Sequence, residues 1–397
     1  MYAALLLALT LGVTPAAPVY DRTENASYYE IYPLCETESL RRGGIPVGVQ
    51  TLAGTGLSGA RGGESAQFNL PASVFSGADG GLLIMDTYNN LIRAVDESGE
   101  VNLLSGNIAG LDSFGFPRGD FRDGPLSTAR FNRPIGGVTD ELGRVFIADS
   151  ENHAIRVIID ENVFTFAGNG EAGYLDGTLE NARFNHPAAI AIGPGGSLFI
   201  ADTLNHVIRR IDTEGEVTTV AGVVHSYGQA DGAYDEAMFF SPMGIAVNAD
   251  GVIFVADTGN HLIRVIEDGR VSTLAGTIVF PADVEWEDAE DADFDELPLG
   301  GFADGYEAMF NLPAGLAIWG NTLVVADSAN HRIRIIEATG ETFTLAGTGY
   351  PDYTDGMPDE AAFHLPRGVY VSGDTLYIAD TGNNLIRVMA LTLTTED

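Results

Sequence analysis

The chain contains no lysine, a single cysteine and few charges of positive sign. Its 397 residues carry 20 basic side chains, all arginine, against 56 acidic ones, for a formal net charge of −36. Phosphate backbones are bound by clustered Lys and Arg, so this balance excludes nucleic acid as the expected partner. It also opposes adsorption to anionic membrane surfaces. One cysteine, Cys35, excludes a disulfide framework within the chain and any multi-cysteine zinc site. No stretch is apolar over enough residues to cross a bilayer. Intrinsic disorder is excluded in turn, because hydrophobic residues make up 45% of the chain.

The longest apolar run is YAALLLALTLGV, residues 2–13, followed by the small residues of TPAAP. It is too short to span a membrane but suits the core of an export signal, although no Lys or Arg precedes Arg22. The sequence therefore predicts a signal peptide over 1–17 and a soluble, secreted or otherwise extracytoplasmic protein. Residues 18–45 form an extension unlike the rest of the chain. It holds Cys35 and the sequon Asn25-Ala26-Ser27.

Three boxes then recur six times each. The first is Ala-x-Phe-x-x-Pro, at Phe68/Pro71, Phe131/Pro134, Phe184/Pro187, Phe239/Pro242, Phe310/Pro313 and Phe363/Pro366. The second is Asp-x-x-Asn-x-x-Ile-Arg, with its Asp at 86, 149, 202, 257, 327 and 380. The third is a β-branched or aromatic run closing in a small residue and Gly, ending at Gly54, Gly106, Gly168, Gly222, Gly276 and Gly347. A period of this length signals a propeller or a solenoid. The short Val/Ile/Phe/Thr runs broken by Gly, Asp and Asn select the propeller, with four antiparallel strands per unit.

Box counting also predicts how the ring closes. In units one to five the third box follows the Asp by 18 or 19 residues. After Asp380 that position falls beyond the last residue, while a surplus copy, VQTLAG, precedes the first unit. The N-terminal strand is thus expected to complete the last blade. The expectation is an all-β, six-bladed propeller over 46–394, with a long acidic inter-blade loop at 278–303 and a monomeric state.

These boxes, read as P-x-G-I-A, V-A-D-T-x-N-H-x-I-R and the strand ending in Ala-Gly, resemble the NHL-repeat family over roughly residues 46–390. The resemblance implies a six-bladed β-propeller. It implies no single function, since the family includes RNA binders, interaction scaffolds, cell-surface modules and a peptide-amide lyase, and related propellers include calcium-holding lactonases.

Residues repeated in every blade read as structural. The six pairs are Asp86–Arg93, Asp149–Arg156, Asp202–Arg209, Asp257–Arg264, Asp327–Arg334 and Asp380–Arg387. Each is expected to meet across a hairpin as a charge-assisted pair. His153, His206, His261 and His331 share one box position, taken by Asn90 and Asn384 elsewhere, and are spread around the ring. A recurrent Asp-Gly, at Asp123, Asp176, Asp231, Asp304 and Asp355, reads as a turn between blades; the first unit has Gly62-Gly63 instead.

Candidate binding residues are the ones that break the pattern. Around the box prolines, Arg133, His186, Met243 and Arg367 depart from the small or aliphatic residues of other units, and they suggest an anion-binding patch at the channel mouth. In the long loop, Asp291, Asp293 and Asp295 resemble the start of a calcium loop, but Glu296 and Phe302 break the EF-hand pattern. No cofactor is expected, apart from possible calcium there. Two functions fit: an exported, non-enzymatic scaffold that binds a protein, peptide or glycan, or a metal-assisted hydrolase or lyase working at the channel mouth.

Overall fold

The computed structural model describes residues 48–96, 99–113, 115–279 and 298–391, with the backbone of 41–42 and 45–46. Six antiparallel sheets are arranged around an axis, and in five of them the four main strands follow in sequence order from the inside outward. The innermost strands are Ser73–Ser76, Pro134–Thr139, Pro187–Ile192, Gly244–Val247, Pro313–Trp319 and Gly368–Ser372. Each packs on the next, and the sixth packs on the first, so the ring is closed.

The fourth blade shows how local sequence makes the element. Gly244–Val247, Ile253–Asp257, Leu262–Glu267 and Arg270–Ala275 pair in register, from Ile245 opposite Val255 to Val265 opposite Ser272. One turn of 3-10 helix, Thr258–Asn260, joins the middle strands and ends on His261 in the left-handed region at φ 59°. Asn90 and Asn384 hold that conformation in the blades without His, and both side chains tolerate it better than β-branched ones do.

The sixth blade takes its outer strand from the opposite end of the chain. Gln50–Ala53 pairs with Leu385–Ala390, with Thr51 opposite Arg387. Closure of this kind leaves no sheet edge open at the join. The four-stranded pattern is exceeded in three blades. Gly124–Pro125, Gly177–Thr178 and Gly232–Ala233 add a short fifth strand on the outer edge. Single bridges at Gly63–Val101, Gly305–Thr342 and Val49–Gly356 do the same in the other three.

The core lies between blades. In one cluster Phe146, Ile155 and Val157 of the second blade meet Phe184, Ile190 and Ile200 of the third. Every box Phe is fully buried, as is every Ala two residues before it. Two glycine positions are forced. At the axis, a Cβ on Gly136 would lie 2.4 Å from the Ala188 carbonyl oxygen, and one on Gly315 would lie 2.3 Å from that of Arg367. The inner strands can converge only because these side chains are missing. At the other position, Gly106 and its five counterparts have positive φ, and a Cβ there would run into the carbonyl of the box Asn or His.

Candidate functional site

The repeated polar residues build six copies of one network. The Asp Oδ2 accepts from the Arg Nη1 at 2.6–3.1 Å in every blade. It also accepts from the box Asn side chain three residues on, as Asn205 does to Asp202 at 2.8 Å. The Asp Oδ1 takes the backbone N–H that follows the box Phe, as Asn185 N–H does at 2.7 Å. Burial pushes Asp86, Asp149, Asp202, Asp257 and Asp380 up to about 6, against these donors, so the pairs are ionised at neutral pH.

The inter-blade Asp does more than turn the chain. Asp176 accepts from Arg209 Nη2 at 2.6 Å and from the Thr219 N–H at 3.1 Å, tying the connection to the outer strand. Asp123, Asp231, Asp304 and Asp355 reach Arg156, Arg264, Arg334 and Arg387 in the same way. Each Arg also lies over the box Phe of its unit, 5.1–5.8 Å from the ring centroid. The first blade departs from this plan. With Gly62 in place of Asp, Arg93 Nη2 keeps the carbonyl partner, that of Arg61, which the third to sixth blades also use, and has no second carboxylate among the described residues.

The box His and Asn latch neighbouring blades. His206 Nδ1 accepts the N–H of Ser241, and His261 Nδ1 that of Leu312. His153 and His331 do the same for His186 and Leu365, while Asn90 and Asn384 use Oδ1 for Arg133 and Leu70. Burial lowers His153, His206, His261 and His331 to about 4, which keeps the accepting nitrogen unprotonated.

The channel-mouth candidates sort into two pairs. Arg133 and His186 flank Glu151, at 3.3 Å and 3.5 Å. His186 holds the Glu151 carboxyl below its ordinary range, with Arg133 adding to the effect. Arg133 also lies over the Tyr88 ring. Arg367 instead turns toward the axis, where its Nη2 approaches Met243 Sδ at 3.5 Å. Sequence reasoning treated Arg133, His186 and Arg367 as one patch because all flank a box Pro. The residue before Pro is left-handed, with φ of 48° at Arg133 and 51° at His186, and this parts it from the residue after Pro. Asp291, Asp293 and Asp295 lie outside the described residues.

A cavity of about 970 Å3 runs along the inner strands. Ala72, Ile135, Ala188, Met243, Ala314 and Arg367, the six residues after the box prolines, line it at one end. Asp140, Glu141 and Leu142 line it at the hairpin end, where Arg144 pairs with Asp140 at 2.6 Å. Among the described residues, no three His, Cys, Asp or Glu side chains are grouped to hold a metal ion.

The opposite face carries the connections between blades. Of the 15 large hydrophobic side chains exposed among the described residues, 10 lie in these connections on this face: Leu57, Leu111, Phe116, Phe121, Leu175, Val279, Leu299, Phe302, Tyr350 and Tyr353. Tyr234 and Tyr306, also in connections, stand beside the outer hairpins, where the Tyr234 N–H donates to the Gly269 carbonyl and Gly305 pairs with Thr342. Each box Asn fixes its connection to this face, as Asn152 does by donating to the Asp120 carbonyl and Asn260 by donating to that of Gly228.

The NHL-repeat family model matches residues 241–266, 310–336 and 363–389, one stretch in each of the last three blades. NHL repeat-containing protein 2 of Bos taurus is 28% identical over 327 residues, covering 62% of this chain and 45% of that one. Protein SUPPRESSOR OF QUENCHING 1, chloroplastic, of Arabidopsis thaliana is 30% identical over 289 residues, covering 68% of this chain and 26% of that one. The chain thus spans less than half the length of these curated relatives. Among solved structures, an auxiliary nutrient binding protein from Bacteroides ovatus aligns with a TM-score of 0.60 at 14% identity, covering 86% of this chain and 76% of that one. At that identity the likeness speaks for the fold alone.

Proposed function

We propose that this chain, which carries NHL repeats on a six-bladed β-propeller, is a non-enzymatic binding scaffold for a protein, peptide or glycan. The contact surface is the face that carries the inter-blade connections. The observation behind this reading is the concentration of exposed aromatic and aliphatic side chains there, while the repeated polar residues are occupied in holding the blades together. Phe116, Tyr350 and Tyr353 are 52%, 66% and 69% exposed. Exposed aromatic residues on loops anchored to a rigid scaffold supply contact area at small entropic cost. The net charge of −36 favours a partner with basic patches, through faster encounter at low salt. The reading extends to an exported protein, on the strength of the apolar run at 2–13 and the small residues after it.

The test is capture of ligands on the immobilised protein beside a Phe116→Ser/Tyr350→Ser/Tyr353→Ser variant, with calorimetry on whatever is identified. Three exposed anchors of this type should carry at least 2 kcal/mol, roughly a 30-fold loss of affinity, with the melting temperature unchanged. Partners retained undiminished by the triple variant would rule out this face as the contact surface.

A further inference from the structure

Arg367 occupies an unusual place for a guanidinium. It is 7% exposed and lines the central cavity beside Met243, at 8%. Its only side-chain hydrogen bond among the described residues is the long one to Met243 Sδ, and thioether sulfur is a weak acceptor. Its backbone is fixed by N–H donation to the Ala379 carbonyl and by its own carbonyl accepting from Gly315 N–H, so the side chain projects from a rigid strand start. The contrast with the other arginines is sharp. The six blade arginines, Arg133 and Arg144 all pair with carboxylates, and this in a chain with 56 of them. Burial lowers the Arg367 pKa, and among the described residues no carboxylate forms an ion pair with it. A buried, unpaired charge destabilises a fold, and such residues concentrate at functional sites.

The surroundings define what would pair with it. The other residues of the same ring are Ala72, Ile135, Ala188, Met243 and Ala314, which offer apolar surface and no further cation. One guanidinium balances one negative charge, and its fork matches a carboxylate with two parallel hydrogen bonds. A phosphate dianion would be left with uncompensated charge and few donors. At the far end Arg144 is taken up by its pair with Asp140, and Glu141 leaves that end with a net negative charge that favours an anionic head group at Arg367. We propose that the central cavity binds an organic monocarboxylate with an apolar body, its carboxylate seated on Arg367. This site is separate from the connection face and would stand if that face bound nothing.

The experiment uses the full chain, with hexanoate, hexanamide and inorganic phosphate as probes in calorimetry and thermal melts. Hexanoate should bind and raise the melting temperature, and hexanamide should bind at least tenfold more weakly, the equivalent of losing one charge-assisted hydrogen bond. Arg367→Met should lose hexanoate binding by a similar factor. Its ligand-free melting temperature should equal or exceed that of the native protein, because the substitution removes an uncompensated buried charge. Arg367→Gln provides the same comparison with a polar side chain. The proposal is overturned by absence of hexanoate binding, by equal binding to Arg367→Met, or by phosphate binding more tightly than hexanoate. A ligand-free melting temperature lowered in both variants would also overturn it, by assigning Arg367 to the fold.

Discussion

At the scale of single residues, the blade arginine is the centre of the design. It stacks on the box Phe, pairs with the inner Asp, and in five blades pairs again with the Asp of the connection. Taking one partner from a buried ion pair is strongly destabilising because the other charge stays behind. Asp257→Ala should therefore lower stability by about 3–5 kcal/mol in chemical denaturation. Asp86→Ala should cost more than Asp257→Ala. Arg264 keeps Asp231, whereas among the described residues Arg93 pairs only with Asp86 and has carbonyls as its other partners. Equal losses in the two variants would show that the outer carboxylate contributes nothing.

At the scale of the repeated element, the turn between the middle strands couples one blade to the next. Its hydroxyl and its His or Asn both reach forward, as Thr203 does to the Pro242 carbonyl and His206 to the Ser241 N–H. Four of these latches require a neutral imidazole, held at about 4 by burial against an ordinary value of 6.5. The unfolded chain binds the protons first, so this contribution is complete above pH 6.5 and is lost as pH falls toward 4. The inner Asp residues act in the opposite sense. Their carboxyls are raised to about 6 in the fold, so the folded chain takes up protons first and gains stability as pH falls below 6. A variant separates the two effects. Replacing His153, His206, His261 and His331 by Asn, the residue at 90 and 384, keeps an acceptor and removes the titration. Between pH 7 and pH 4.5 the melting temperature of this variant should fall less than that of the native chain, by an amount reflecting up to about 3 kcal/mol for the deeply buried His261 and less for the half-buried His153. Parallel curves would mean the imidazoles stay neutral without consequence for stability.

At the scale of the whole molecule, six blades form a ring only through a join between the two ends of the chain. Thr51 donates to Asp355 through both its N–H and its hydroxyl, the place Thr219 takes on Asp176 within a blade. Thr381 reaches the Pro71 carbonyl and Asn384 the Leu70 N–H across the same join. Compared with removal of residues 1–40, removal of residues 1–54 should expose the edge of Leu385–Ala390, lower the melting temperature by at least 10 °C and promote association. Light scattering and thermal unfolding of the two truncations make the comparison. Similar melts would show that the closing strand is dispensable.

The repeat made most of the architecture legible in the amino-acid order. A blade is a local unit: its strand lengths, its Asp and Arg seven residues apart and its turn residues all lie within one short stretch, so blade number, strand order and the closing strand follow from counting boxes. Partnerships of longer range left a weaker mark. The box Phe under the Arg, the connection Asp as its second counter-ion and the His accepting from the next blade each join residues some 25 to 50 positions apart, and the last of them exists only once the blades stand side by side. The fate of the residues flanking each Pro was likewise decided by the ring. The left-handed residue before it keeps Arg133 and His186 beside Glu151, while the residue after it faces the axis, so that Arg367, one arginine among 20 in the sequence, becomes the charge at the end of an apolar cavity.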